Sequence, residues 1–230
     1  MTITVLVNDV DVPPGHLERV ATTRSVEIRL VRLHAAEPLP DAHDLEAVVV
    51  LGGEMGAYDT ERFPYLTEEK RFLAEAVALG VPILGICLGC QLLADALGGS
   101  VLLADEPEYH FGPIKTLGTD RVVATLASGP SIALHRDTWT PPPGGSLLGR
   151  SGRFNHAFRF GSALGVQPHP EVTSDTLVSW LETPEGEALA RAAGTDARTV
   201  IVDFLEVEAD TIAVAERFFT AWLDEVGFPR

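Results

Sequence analysis

The segment VPILGICLGCQLLADALGG, residues 81–99, constrains the fold more than any other stretch of the chain. Residues 81–86 form a short apolar run that reads as a buried strand, and residues 88–97 have the composition of a helix closed by Gly98-Gly99. Only Cys87 separates the two. A strand that is apolar along its whole length is covered on both faces, and covering helices of this kind accompany parallel sheets.

The same alternation runs through most of the sequence. Residues 3–7 and 47–51 read as strands, the latter ending in Gly52-Gly53, and residues 26–33 alternate as a strand exposed on one face. Residues 14–21 suit a short helix. Residues 66–79 carry apolar side chains at helical spacing, with Gly80 as the stop and Pro82 beyond it. From 101 to about 167 the segments are short and β-like, with turns at Gly112-Pro113, Gly118, Gly129-Pro130, 141–145 and Gly161. That pattern predicts an antiparallel edge on a parallel sheet. Helical spacing returns at 177–181, 185–193 and 206–226. The expected architecture is a three-layer α/β domain with a mostly parallel central sheet, a small antiparallel edge and a C-terminal helical extension. Residues 1–230 are read as one domain, since no linker divides them.

Composition narrows the function classes. The 230 residues carry a net charge of −16, and 46% are apolar. An acidic surface repels phosphate backbones and anionic lipid, so nucleic-acid and membrane partners are not expected. Asp9 and Asp11 interrupt the N-terminal apolar stretch, and no basic region precedes it, so no signal peptide is expected and the predicted location is cytoplasmic. Two cysteines do not make a disulfide framework.

Gly85-Ile86-Cys87-Leu88-Gly89 has the form of a nucleophile elbow, with glycine two positions to either side of a nucleophilic residue at a strand-to-helix turn. The turn brings backbone segments too close together for side chains at the flanks. The nucleophile sits in a strained conformation, and the following helix N-terminus favours thiolate over thiol. Two other readings stay open on these residues alone. Cys87 is a buried structural cysteine, or Cys87-Leu88-Gly89-Cys90 is a redox pair. Half of a zinc site is disfavoured because there is no second cysteine pair and no histidine at finger spacing.

A cysteine nucleophile requires a base and a group that orients the base. His16, His34 and His43 lie in polar, loop-like surroundings and read as surface residues. His169 differs. It stands in Gln167-Pro168-His169-Pro170-Glu171, after the β run 163–166, and in an extended segment His169 and Glu171 face the same way. The flanking prolines restrict the backbone, and a carboxylate beside an imidazole fixes its tautomer.

With these segments in hand, the chain resembles the class I glutamine amidotransferases of the Cys-His-Glu type. It looks closest to stand-alone proteins similar to the amidotransferase domain of GMP synthase, with a flavodoxin-like fold. The resemblance rests on LGGEMGAYDTERFPYLTEEKRFL (51–73), residues 81–99, LHRDTWTPPPG (134–144) and ALGVQPHPEVT (163–173). It implies Cys87 as nucleophile, His169 as general acid and base, and Glu171 as its orienter. Gly53 and Leu88 would supply the N–H groups of an oxyanion hole. Gln91, His135 and Arg136 would bind substrate. The implied reaction is hydrolysis of the glutamine side-chain amide to glutamate and ammonia, with no cofactor and no metal.

The chain departs from the family pattern at several positions. Arg136 replaces a usual Gly, Pro168 an aromatic, His156 a frequent Gln, Glu54 a Pro, and His110 a small residue. Arg136 bears on the substrate, since a guanidinium can pair with a carboxylate of a γ-glutamyl peptide or conjugate. No P-loop pattern is present. The ammonia is therefore expected to pass to a separate synthase subunit or to be released; the other expected partners are glutamine or a γ-glutamyl small molecule and a second copy in a homodimer. A non-catalytic regulatory subunit is the contrasting class.

Overall fold

The structure is a computed structural model that describes residues 1–228. Strands β1 (Thr2–Val7), β2 (Glu27–Arg32), β3 (Ala47–Val50) and β4 (Ile83–Ile86) form the parallel half of the central sheet. The connecting helices are α1 (His16–Thr23), α2 (Tyr65–Ala78) and, after β4, α3 (Leu88–Ala96). Period-two alternation sends the side chains of each strand to opposite faces. Ile3, Val5, Val49 and Ile86 join the core on one face, while Leu6, Val48, Val50 and Ile83 join the core on the other. The first core is closed by Leu17 and Val20 of α1 and by Phe218, Phe219 and Trp222 of a C-terminal helix; the second by Leu66 and Leu73 of α2 and Leu92 of α3. These are the three layers expected from the sequence.

The middle of the chain divides in a way the sequence reading does not anticipate. β5 (Ser100–Gly112) and β7 (Ser131–Thr140) pair antiparallel as a ribbon separate from the main sheet, with a register shift between Leu103 and Glu108. Both are long, not short. β6 (Lys115–Thr116), β8 (Ser146–Arg150) and β9 (Asn155–Phe160) instead extend the main sheet, and a single-turn helix, α4 (Val123–Leu126), lies between β6 and β7. β10 (Ala163–Val166) runs parallel to β4 and antiparallel to β9, so it is the seam between the two halves of the sheet order β2-β1-β3-β4-β10-β9-β8-β6. The edge position of β2 accounts for its one-sided exposure.

Four helices follow: α5 (Ser174–Leu181), α6 (Pro184–Ala192), α7 (Ala197–Glu206) and α8 (Glu208–Glu225). The sequence reading lacks α7 and starts the last helix too early. Asp196 caps α7 by accepting from the Thr199 N–H, and Val207 breaks the chain before α8. α5, α6 and α7 pack Leu177, Leu181, Ala190, Val200 and Phe204 against Ile132 of β7, giving the ribbon a hydrophobic backing of its own. Among the described residues no helix is long and apolar enough to cross a membrane.

Candidate active site

Cys87 is the residue between β4 and α3, with φ +52° and ψ −109°. A non-glycine residue in that region is strained by roughly 1–3 kcal/mol, which the packing around it must offset. The flanking glycines make the turn physically possible. A Cβ on Gly85 would stand 2.5 Å from the Gly89 carbonyl oxygen, and one on Gly89 would stand 2.2 Å from the Val50 carbonyl oxygen. The Cys87 N–H donates to the Val166 carbonyl at 2.9 Å, which ties the turn to β10.

His169 follows β10 by a few residues and reaches the same place. Its N–H donates to the Ile132 carbonyl at 2.8 Å, and its ring Nδ1 lies 2.7 Å from Oε1 of Glu171. With Nδ1 turned to the carboxylate, the rest of the ring is left to the Cys87 sulfur, which interacts with it electrostatically. A Cβ on Gly52 would be 3.3 Å from His169 Cε1 and 3.6 Å from Cys87 Cβ, so the thiol and the imidazole share one small space beside the β3 turn. Burial disfavours charge on His169. The Cys87 sulfur and the Glu171 carboxylate act in the opposite sense and hold its pKa well above the ordinary imidazole value of 6.5. Trp180 of α5 sets its ring edge-on to the imidazole at 4.9 Å.

Cys87 and His169 open into a cavity of about 420 Å³, which Gly53, Leu88 and Gln91 also line. Gly53 and Leu88 are adjacent, since a Cβ on Gly53 would stand 3.1 Å from Leu88 Cδ2. Arg136 is exposed on the cavity wall, and Asp137 beside it accepts from the Tyr58 hydroxyl at 3.0 Å. Burial raises the Asp137 pKa, and the Tyr58 hydrogen bond and Arg136 moderate the rise. His135 is buried, and both of its ring nitrogens are held by protein: Nδ1 by the Asp137 carbonyl at 2.8 Å, Nε2 by Glu108 at 2.8 Å. Cys90 is fully buried in the α2–α3 core, and burial pushes its thiol pKa well up, which disfavours the thiolate that disulfide exchange requires. His16 is a correction to the sequence reading. It is 6% exposed, because α1 starts against the Glu171 segment, where the His16 N–H donates to the Glu171 carbonyl at 2.9 Å.

An elbow cysteine and a carboxylate-oriented imidazole thus meet at one cavity. The model of the family described as glutamine amidotransferase class-I matches residues 15–182. The chain belongs to the class I glutamine amidotransferases. GMP synthase (glutamine-hydrolysing) of Bordetella avium is 31% identical over 161 residues, covering 64% of this chain and 28% of that protein. One subunit of the glutamine-hydrolysing GMP synthase of Sulfolobus acidocaldarius is 38% identical over 102 residues, covering 41% of this chain and 53% of that protein. The chain thus spans about half or less of these curated relatives. A glutamine amidotransferase structure from Methylobacillus flagellatus superposes with a TM-score of 0.86 over 97% of this chain and 94% of its own, at 24% identity, which speaks to the fold.

Two residues of this class I amidotransferase site escape the sequence reading. Gln167 is fully buried and donates from Nε2 to the Cys87 sulfur at 3.4 Å. Its Oε1 accepts from Trp139 Nε1 at 2.9 Å and from Gln91 Nε2 at 3.3 Å. Trp180 is the other. Gln167 has a visible signal, since it opens the Gln-Pro-His-Pro-Glu run; Trp180 has none.

Proposed function

We propose that this protein hydrolyses the side-chain amide of glutamine to glutamate and ammonia through a thioester on Cys87. The observation that carries the reading is the file of Cys87 sulfur, His169 and Glu171 at the cavity, with Glu171 Oε1 2.7 Å from the ring. In the first half, the Cys87 thiolate forms a C–S bond to the amide carbon, and the carbonyl electrons move onto oxygen. The Gly53 and Leu88 N–H groups stabilise that oxyanion. His169 gives its proton to the nitrogen, the C–N bond breaks and ammonia leaves. In the second half, His169 takes a proton from water as it attacks the thioester, and the C–S bond breaks with Cys87 leaving as thiolate. Glu171 keeps the imidazole in one orientation and stabilises its positive form. Gln91 and Arg136 hold the substrate from the cavity wall. The Sulfolobus acidocaldarius relative is named as one subunit of a GMP synthase, which supports a separate synthase subunit that accepts the ammonia.

A second reading keeps the same chemistry and changes the leaving group. A cavity of about 420 Å³ has room for a ligand larger than a single amino acid, and exposed Arg136 can meet a carboxylate beyond the γ-glutamyl bond. Purified protein assayed for glutamate release from free glutamine and from γ-glutamyl dipeptides separates the two. A kcat/KM preference for glutamine supports the first and a preference for the dipeptides the second. No release from either, with a candidate synthase subunit present or absent, would overturn both in favour of a regulatory subunit.

A further inference from the structure

Beside the cavity, which His135 also lines, lies a buried cluster that the thioester chemistry leaves unused. His135 Nε2 and His156 Nε2 stand 2.8 and 2.7 Å from one oxygen, Oε2 of Glu108, while the Ser151 hydroxyl takes the other oxygen. The ligand atoms of Glu108, His135 and His156 all lie within 4.8 Å of one another, and the three residues are 8%, 5% and 0% exposed.

The protons constrain this arrangement. His135 Nδ1 is 2.8 Å from the Asp137 carbonyl, which only accepts, so Nδ1 carries the hydrogen. In the neutral ring the Nε2 lone pair then points at a carboxylate oxygen. Two electron-rich atoms at that separation need positive charge between or beside them, either a second proton or a cation. An imidazole whose other nitrogen donates to a backbone carbonyl is the arrangement that orients metal-binding histidines. On His156, Nδ1 is buried without a partner. His110, two residues from Glu108 on β5, meets the His156 ring edge-on at 5.5 Å, and its Nε2 is also buried without a partner. His110 thus lies beside the cluster but outside the set whose ligand atoms converge.

We propose that Glu108, His135 and His156 form a binding site for a divalent transition-metal ion, of which zinc is the representative. Two imidazoles and one carboxylate suit zinc, with the Ser151 hydroxyl or water completing four-coordination. A hard ion such as magnesium prefers an all-oxygen set. Because β7 runs directly from His135 to Arg136 and Asp137 on the cavity wall, an ion here fixes the strand that faces the substrate.

The test uses the full-length chain with Cys87→Ala, so that the thiol beside His169 cannot compete for metal. The metal-stripped protein is titrated with Co²⁺ and then Zn²⁺. One equivalent of Co²⁺ per chain is expected, with the d–d absorption of a four-coordinate nitrogen and oxygen set, displaced by Zn²⁺. Adding His156→Gln is expected to weaken binding at least ~10-fold, no less than loss of an outer-shell partner does. No stoichiometric uptake, or uptake unchanged by His156→Gln, overturns the proposal. Should His156→Gln not fold, imidazole ¹⁵N NMR of the Cys87→Ala chain decides. Zinc-dependent shifts at His135 and His156 Nε2 support the site; shifts confined to exposed His34 and His43, or none, overturn it.

Discussion

The side-chain amide of Gln167 points its nitrogen at the sulfur of Cys87, 3.4 Å away. Its oxygen is occupied by the Trp139 and Gln91 donors, so the amide has one orientation, and that orientation gives the sulfur a hydrogen-bond donor. A donor favours thiolate over thiol. Gln167→Glu keeps the shape and the acceptor for Trp139 while replacing the donor with a carboxylate. Alkylation of Cys87 by iodoacetamide at neutral pH is expected to slow about tenfold or more, equivalent to about 1.4 kcal/mol on the barrier. An unchanged rate would mean that the amide serves only packing.

The two cysteines separate by environment. Cys87→Ala is expected to abolish glutaminase turnover. Cys90→Ala removes a fully buried sulfur from the core and leaves a small cavity, costing about 1–2 kcal/mol of stability with turnover largely retained. Denaturant melts together with an ammonia assay check both halves. A C-x-x-C redox function would require the reverse for Cys90.

Glu171 is one of the groups that hold the His169 pKa above its usual value, and Cys87 is the other. Glu171→Gln removes a negative charge next to the ring while keeping a hydrogen-bond acceptor. The imidazolium is then lost at lower pH, so the alkaline limb of the kcat/KM profile is expected to move down in pH. Maximal kcat is expected to fall as well, since the ring also loses its orienting charge. A profile coincident with wild type would remove Glu171 from the role proposed for it.

Glu69 of α2 is fully buried, with Asn8 Nδ2 3.2 Å from Oε1. Burial raises its pKa to about 8 despite that hydrogen bond. The folded state holds a proton that the unfolded chain loses near 4.5. Its contribution to stability is therefore complete below about pH 4.5 and is lost as pH rises to about 8. The Tm difference between wild type and Glu69→Gln, measured from pH 5 to 8, is expected to shift steadily against wild type as pH rises. A constant difference would place the Glu69 pKa in the ordinary carboxylate range.

What the sequence reveals depends on how near in the chain the interacting groups lie. The elbow is legible because strand, turn and helix fall within residues 81–99, and the His169–Glu171 pair because the two are neighbours in one extended segment. The layers are legible because β3 and β4 are apolar throughout and β1 is broken only by Thr2 and Thr4. Gln167 stands visibly at the head of the same segment, but its role is hidden, since its partners Trp139, Gln91 and Cys87 lie 28, 76 and 80 residues away. The Glu108 cluster is hidden for the same reason, with His135 and His156 separated from Glu108 by 27 and 48 residues. The β5–β7 ribbon reads as a sheet edge because local alternation specifies a strand but not which strand it pairs with. His16 looks exposed because nothing local announces that the Glu171 segment folds over the start of α1.

The hydrogen bond from the His169 N–H to the Ile132 carbonyl joins the imidazole to the strand that carries Arg136. The ribbon forms a sheet of its own, backed by the C-terminal helices and held to the main sheet through side chains such as Trp139 on Gln167 and Glu108 on His156. A slide of the ribbon along its own axis would tilt the base and displace the cavity wall in the same movement. Changes that retune which leaving group is accepted would then also alter turnover, so selectivity and rate in this chain are mechanically geared together.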